Sequence, residues 1–360
     1  NSKTSKTGTG SMPQSSPEDG DGETTATPPS PNPNNHRDIN DKDSDALTVN
    51  YVTEKITYHY STTPRNGGTS DEREHLAIQI KYASTTRGRN LIENNVDSTG
   101  LLLWPASHLL CHYLLHLHNA DTAATKRRRV LGRTIELGCG CGIVGIAAAL
   151  TEISSRVVCT DGDCDAVALC QENIAVNGLS SAEKKEVISA RRLQWGDAAK
   201  ATQIMHEMGG CGEEGSFDTV IAADIVYPAT SEYVLKLLFR TVRQLLRHPG
   251  GKFLLSFISR DGHRTPLRLL DAATEGGFCV GCIPEKEFVP EGVELPPVMG
   301  AKVLLLTRGD VKDVRTANEN LGGEDCEVFP GLRAAVVRAL EESSEEEWEA
   351  PFLGDDEDDD

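Results

Sequence analysis

The chain has 360 residues, a formal net charge of −19, 38% hydrophobic and 5% aromatic residues. Those values leave room for one large domain with tails or for two modest domains, and the low hydrophobic share implies that part of the chain does not pack. No run of 18 apolar residues occurs, so no membrane-spanning helix is expected.

The acidity is uneven. Residues 340–360 hold 12 Asp and Glu and no Lys or Arg, and residues 1–48 hold 8 acidic and 4 basic residues. The middle of the chain is therefore close to neutral. It lacks the basic footprint of a phosphate-tracking protein, which argues against a nucleic-acid partner. Ten cysteines in a chain of this size suit reduced thiols, hence a cytoplasmic protein with the nucleus also open. The pair Cys279 and Cys282 has C-x-x-C spacing but no second pair nearby, so no metal is expected.

In chain order, residues 1–48 are rich in Ser, Thr, Pro, Asn and Asp and predict a disordered tail. Alternation at Leu47–Val52, Ile56–Tyr60 and His75–Ala83 predicts a small N-terminal β element within 49–100. Pro105 to His118 reads as a helix with proline in its first turn. Strands then alternate with helices. Strands are predicted at Arg133–Leu137, Arg156–Asp161, Ala190–Trp195, Phe217–Ala223, Lys252–Ile258, Phe278–Ile283 and Lys302–Thr307. Helices are predicted at Ile143–Leu150, Asp163–Val176, Ser231–Arg247 and Pro266–Thr274. That alternation specifies an α/β fold: a Rossmann-like, doubly wound, seven-stranded, mostly parallel sheet. The last two strands lack an intervening helix, which predicts an antiparallel last strand. Residues 284–300, with four prolines, read as an insertion in that hairpin. The main domain is expected over 49–310, followed by a linker, a possible helix at 330–349 and an acidic tail to 360.

Four clusters carry chemistry. Gly138, Gly140 and Gly142 follow the first strand of the alternating series, where missing Cβ atoms let the backbone turn sharply and approach a ligand. Glu136 precedes them in the strand. Asp161 ends the next strand, about 20 residues on, where a carboxylate can accept from a ribose diol. This much fits NAD as well as S-adenosylmethionine. Trp195-Gly196-Asp197 follows the third strand, where an indole could line an adenine slot and a carboxylate could accept from its amine. Asp224-Ile225-Val226-Tyr227 follows the fourth, at the position of a methyl acceptor. The amine-directed nucleic-acid enzymes carry two prolines where this chain has Ile-Val.

Six segments together resemble a known group. They are Thr99–Ser107 (TGLLLWPAS), Ile135–Gly145 (IELGCGCGIVG), Thr160-Asp161, Asn173–Asn177 (NIAVN), Trp195–Asp197 (WGD) and Ala223–Tyr227 (ADIVY). The group is the seven-β-strand protein lysine methyltransferases related to the elongation-factor, chaperone and calmodulin lysine methyltransferases. The resemblance implies S-adenosylmethionine as cofactor and a protein substrate such as a translation factor or chaperone. A monomer is expected. The cofactor-binding set expected is Trp104, Glu136, Gly138, Gly140, Gly142, Asp161, Trp195, Asp197 and Ala222, and the catalytic pair is Asp224 and Tyr227. Transfer to arginine, RNA or a small molecule, and a non-catalytic scaffold working through the acidic tail, stand as alternatives.

Overall fold

The structure is a computed structural model and describes residues 49–61, 73–84, 99–124, 129–180, 187–209, 215–262, 264–283, 285–289 and 301–309. Both expected tails, the helix at 330–349 and most of the proline-rich insertion lie outside the described residues.

Strands β1 (Tyr51–Ser61) and β2 (Arg73–Ala83) form an antiparallel ribbon. The alternating series begins with helix α1 (Pro105–Ala124), then β3 (Gly132–Leu137), α2 (Ile143–Leu150), β4 (Ser154–Asp161), α3 (Cys164–Val176) and β5 (Ile188–Arg192). It continues through α4 (Ala198–Glu207), β6 (Thr219–Ala223), α5 (Glu232–Leu245), β7 (Lys252–Ile258), α6 (Arg264–Glu275), β8 (Phe278–Ile283) and β9 (Ala301–Arg308). The seven-stranded sheet has the order β5-β4-β3-β6-β7-β9-β8, and β9 runs antiparallel to both its neighbours.

Each element has a local cause. Along α5, Leu235, Leu238, Phe239, Val242 and Leu245 recur at helical spacing and are all buried. Its cap is Ser231, whose hydroxyl accepts from the Val234 N–H. All five residues of β6 are buried, as a central strand covered on both faces requires. Helices α1, α2 and α3 pack with the ribbon on one face of the sheet, and α4, α5 and α6 cover the other.

Two differences from the sequence reading bear on the site. The third strand of the series stops at Arg192, so Trp195 stands beyond it in a turn. Helix α4 was not among the expected elements. It buries only Ala201, Ile204 and Met205, a stripe too sparse to stand out in the sequence. Cys279 and Cys282 lie three apart on β8, and side chains with that spacing leave a strand on opposite faces.

The ribbon is tied to the domain by paired amides. Asn173 and Asn177 lie one helical turn apart. Each side chain accepts from one backbone N–H of β2 and donates to a carbonyl of the same residue, Lys81 for Asn173 and Gln79 for Asn177. Two side chains thus complete hydrogen bonds that a neighbouring strand would otherwise make. The Asn173 amide also donates to the Cys141 carbonyl in the glycine loop. Replacing Asn173 with alanine leaves buried backbone groups unpaired on both sides. Urea denaturation is expected to show a stability loss of about 2–3 kcal/mol. An unchanged midpoint would mean that the ribbon does not depend on this amide.

Candidate functional site

The strand order reverses between β3 and β6, so the turns after these two strands diverge over the carboxyl edge of the sheet. A cavity of about 970 Å³ opens there. Its walls come from the glycine loop after β3, Asp161 after β4, Trp195 after β5, Asp224 and Tyr227 after β6, Arg260 after β7, and Trp104 before α1.

The loop's shape depends on its glycines at the points of contact. A Cβ on Gly138 would stand 2.5 Å from Ile225 Cγ2, and one on Gly140 would stand 2.9 Å from the Gly100 carbonyl oxygen. Both residues have positive φ. The loop is therefore pressed between the segment after β6 and the turn ahead of α1. Asp161 fixes its floor: one carboxylate oxygen accepts from the Gly140 N–H at 3.0 Å and the other from the Asp163 N–H at 3.0 Å. Burial pushes the Asp161 carboxyl above the ordinary carboxylate range, while those two N–H donors pull it back. The cap of α3 is Asp163, which leaves Asp161 facing the cavity.

At the other end Asp224 has φ 57, a left-handed conformation that aspartate tolerates better than most residues. Its N–H donates to the Ser256 carbonyl at 2.7 Å, anchoring the turn to β7. Its side chain is fully shielded, and both oxygens accept from Arg260, at 2.9 and 2.6 Å. The Arg260 guanidinium also lies 5.1 Å from the centre of the Trp104 ring. The indole N–H of Trp104 donates to the Thr99 carbonyl, which holds the ring in place. Tyr227 stands at the mouth, 40% exposed.

The structure does not bring every expected residue to the cavity. Glu136 points away from it. Its carboxylate is buried against α2 and accepts from the Gly145 N–H at 3.0 Å. Burial holds this carboxyl well above its usual range. Gly142 is the N-cap of α2, where Cys170 Sγ occupies the space a Cβ would need, and it does not line the cavity. Ala222 is enclosed within β6. Asp197 is exposed and accepts from the Lys200 N–H at 2.9 Å, so it caps α4 in place of facing the cavity. Trp104, Gly138, Gly140, Asp161, Trp195, Asp224 and Tyr227 do meet there. Arg260 was missed, although its place just after β7, at the carboxyl edge of the sheet, was a readable signal.

These walls fit a ligand built on adenosine. The loop offers backbone that a ligand can approach closely, a buried carboxylate can accept from a ribose diol, and the Trp195 indole can cover a base. Residues 86–268 match the family described as lysine methyltransferase. The chain belongs to that lysine methyltransferase family. The cavity walls suit S-adenosylmethionine, an adenosine-based methyl donor. This methyltransferase is 29% identical over 240 residues to protein-lysine N-methyltransferase EFM3 of Chaetomium thermophilum, covering 66% of this chain and 62% of that protein. It is 28% identical over 196 residues to the mouse (Mus musculus) protein-lysine methyltransferase METTL21E, covering 50% of this chain and 70% of the relative. It is 26% identical over 170 residues to calmodulin-lysine N-methyltransferase of Arabidopsis thaliana, covering 47% and 48% respectively. The chain thus spans less than two thirds of the first and third of these relatives.

Proposed function

We propose that this methyltransferase transfers a methyl group from S-adenosylmethionine to the lysine side chain of a protein, with a cytoplasmic translation factor or chaperone as the substrate class. The observation that carries the reading is the placing of Asp224 and Tyr227 opposite the glycine loop and Asp161 in one cavity. Family membership and relatives named as protein-lysine methyltransferases support it.

The bound cofactor supplies an activated methyl on a sulfonium. The chain's own residues do the rest. Asp161 would accept from the ribose hydroxyls, and Gly138 and Gly140 would let the loop close on the ligand. Trp195 would cover the base. Tyr227 would guide the lysine stem past its ring, and the Asp224 turn would fix the direction from which the amine arrives. Alignment of nucleophile and methyl is then a matter of proximity, which lowers the barrier without acid–base chemistry. The Asp224 turn and Tyr227 would hold the amine's lone pair in line with the methyl that the cofactor would supply. The ammonium formed on transfer releases its proton to water.

The test is to incubate the protein with cell extract and methyl-labelled S-adenosylmethionine, isolate the labelled protein band and hydrolyse it. Methyl-lysine is the expected product. Label on arginine, on RNA or on a small molecule defeats the reading.

A further inference from the structure

An acceptor lysine poses an electrostatic problem that the site must solve. The unperturbed lysine pKa is ~10.4, so roughly one amine in a few thousand carries a free lone pair at neutral pH. A lone carboxylate beside the acceptor would make this worse, because it stabilises the ammonium. Asp224 is such a carboxylate, but it does not stand alone. Both of its oxygens are bonded to Arg260, and its side chain has no exposed surface. No free edge of Asp224 is left to receive an ammonium.

We propose that Arg260 is a positioning residue for the methyl acceptor: held against Asp224 and the Trp104 ring, it cancels the carboxylate's charge and admits the acceptor as a neutral lysine amine. This rests on the protein-lysine reading above and deepens it. A planar guanidinium can bond a carboxylate with two parallel N–H groups and still lie over an indole face, a combination open to arginine and closed to lysine. Its side chain is 32% exposed, so the cation reaches the cavity and is not sealed behind the carboxylate.

The same charge discriminates between acceptors. A substrate guanidinium keeps its proton at any ordinary pH and would find no uncompensated carboxylate to pair with. A lysine amine needs no such partner once it has lost its proton. The arrangement therefore favours lysine over arginine as the acceptor class.

Other charged groups face the cavity, but from farther along the sheet. Asp161, Asp163 and Asp165 follow β4, and Arg192 ends β5. Strand β4 lies three places from β7, on the order of 14 Å at the usual strand spacing. These groups are the same in wild type and in the Arg260 variants, so they do not produce a difference between them. Asp261, next in sequence, is engaged with the N–H and hydroxyl of Thr265 on α6. Tyr227 and Tyr51 also line the cavity, and burial raises the Tyr51 phenol above its ordinary value.

The test is the pH dependence of methylation of the labelled protein band, compared in wild type, Arg260→Gln and Arg260→Lys. In the glutamine variant Asp224 keeps its charge uncompensated, so the acid limb of kcat/KM should move up by about one pH unit. Activity should fall about tenfold near pH 7 and approach wild type near pH 10. Arg260→Lys should restore the wild-type limb but not the full rate, because an ammonium supplies the charge without the paired hydrogen bonds. The KM for S-adenosylmethionine should stay within a few fold in both. A glutamine-to-wild-type activity ratio that is constant from pH 7 to 10 overturns the proposal and leaves the lysine reading intact. Wild-type label found on arginine overturns both. If the glutamine variant does not fold, the lysine variant decides: a limb displaced upward despite the retained charge overturns the proposal.

Discussion

Replacing Asp224 with asparagine is expected to lower turnover by about a hundredfold or more while leaving S-adenosylmethionine affinity within a few fold. Asparagine is the informative substitution because residue 224 sits at φ 57. Asn tolerates that conformation, whereas alanine would add backbone strain and confuse a fold defect with a site defect. The asparagine side chain keeps one oxygen acceptor and loses the charge. Arg260 then loses one of its two hydrogen bonds and the attraction that holds it over Trp104. The acceptor end of the cavity loosens, and a displacement of about 1 Å at a reacting atom is enough for a loss of this size. The substitution leaves the glycine loop and its hydrogen bonds to Asp161 unaltered, so cofactor binding should survive. Single-turnover rates and calorimetry on the same preparation give both quantities. Full turnover in Asp224→Asn would remove this turn from the reaction. A matching loss of cofactor affinity would place Asp224 in cofactor binding and not in acceptor placement.

How much of this was visible in the sequence depends on how local each determinant is. Strand and helix alternation was legible because hydrophobic period and turn residues are local properties. So was the glycine loop, and so was Asp161 at the end of the next strand. The orientation of Glu136 was not. Strand β3 is buried on both faces, so its pattern does not tell which side faces the ligand, and Glu136 turned out to meet the start of α2. Asp197 was read as a ligand contact, and the unexpected helix α4 takes it as a cap. The place of Arg260 after β7 was readable, but its role was not. Its meaning lies in a contact with Asp224, 36 positions away, and with Trp104, which reaches the site from ahead of α1. No window of sequence contains that triad. The amide clamp on β2 was hidden in the same way, although Asn173 and Asn177 were conspicuous as a motif.

The second large effect falls on cofactor binding. Asp161→Ala is expected to weaken S-adenosylmethionine affinity by about a hundredfold, corresponding to roughly 3 kcal/mol for charge-assisted bonds to a ribose diol. The aspartate has two tasks, since it also receives the N–H groups of Gly140 and Asp163. The alanine variant therefore loses ligand contacts and loop support together. Asp161→Asn separates them through pH. In the wild type the ionised carboxylate accepts all these bonds, and burial raises its pKa above the ordinary value of 3.8. As pH falls through that raised value, the proton occupies an acceptor position and affinity should drop. The drop should begin at a higher pH than for an exposed aspartate. The asparagine side chain does not titrate, so its weaker binding should lack this acid limb. Calorimetric titrations of both variants and the wild type from neutral pH downward would show the difference. Wild-type affinity in Asp161→Ala would exclude the carboxylate from the ribose contact. An acid limb that persisted in Asp161→Asn would assign the titration to another group in the cavity, with Asp163 and Asp165 the nearest carboxylates in sequence along that wall.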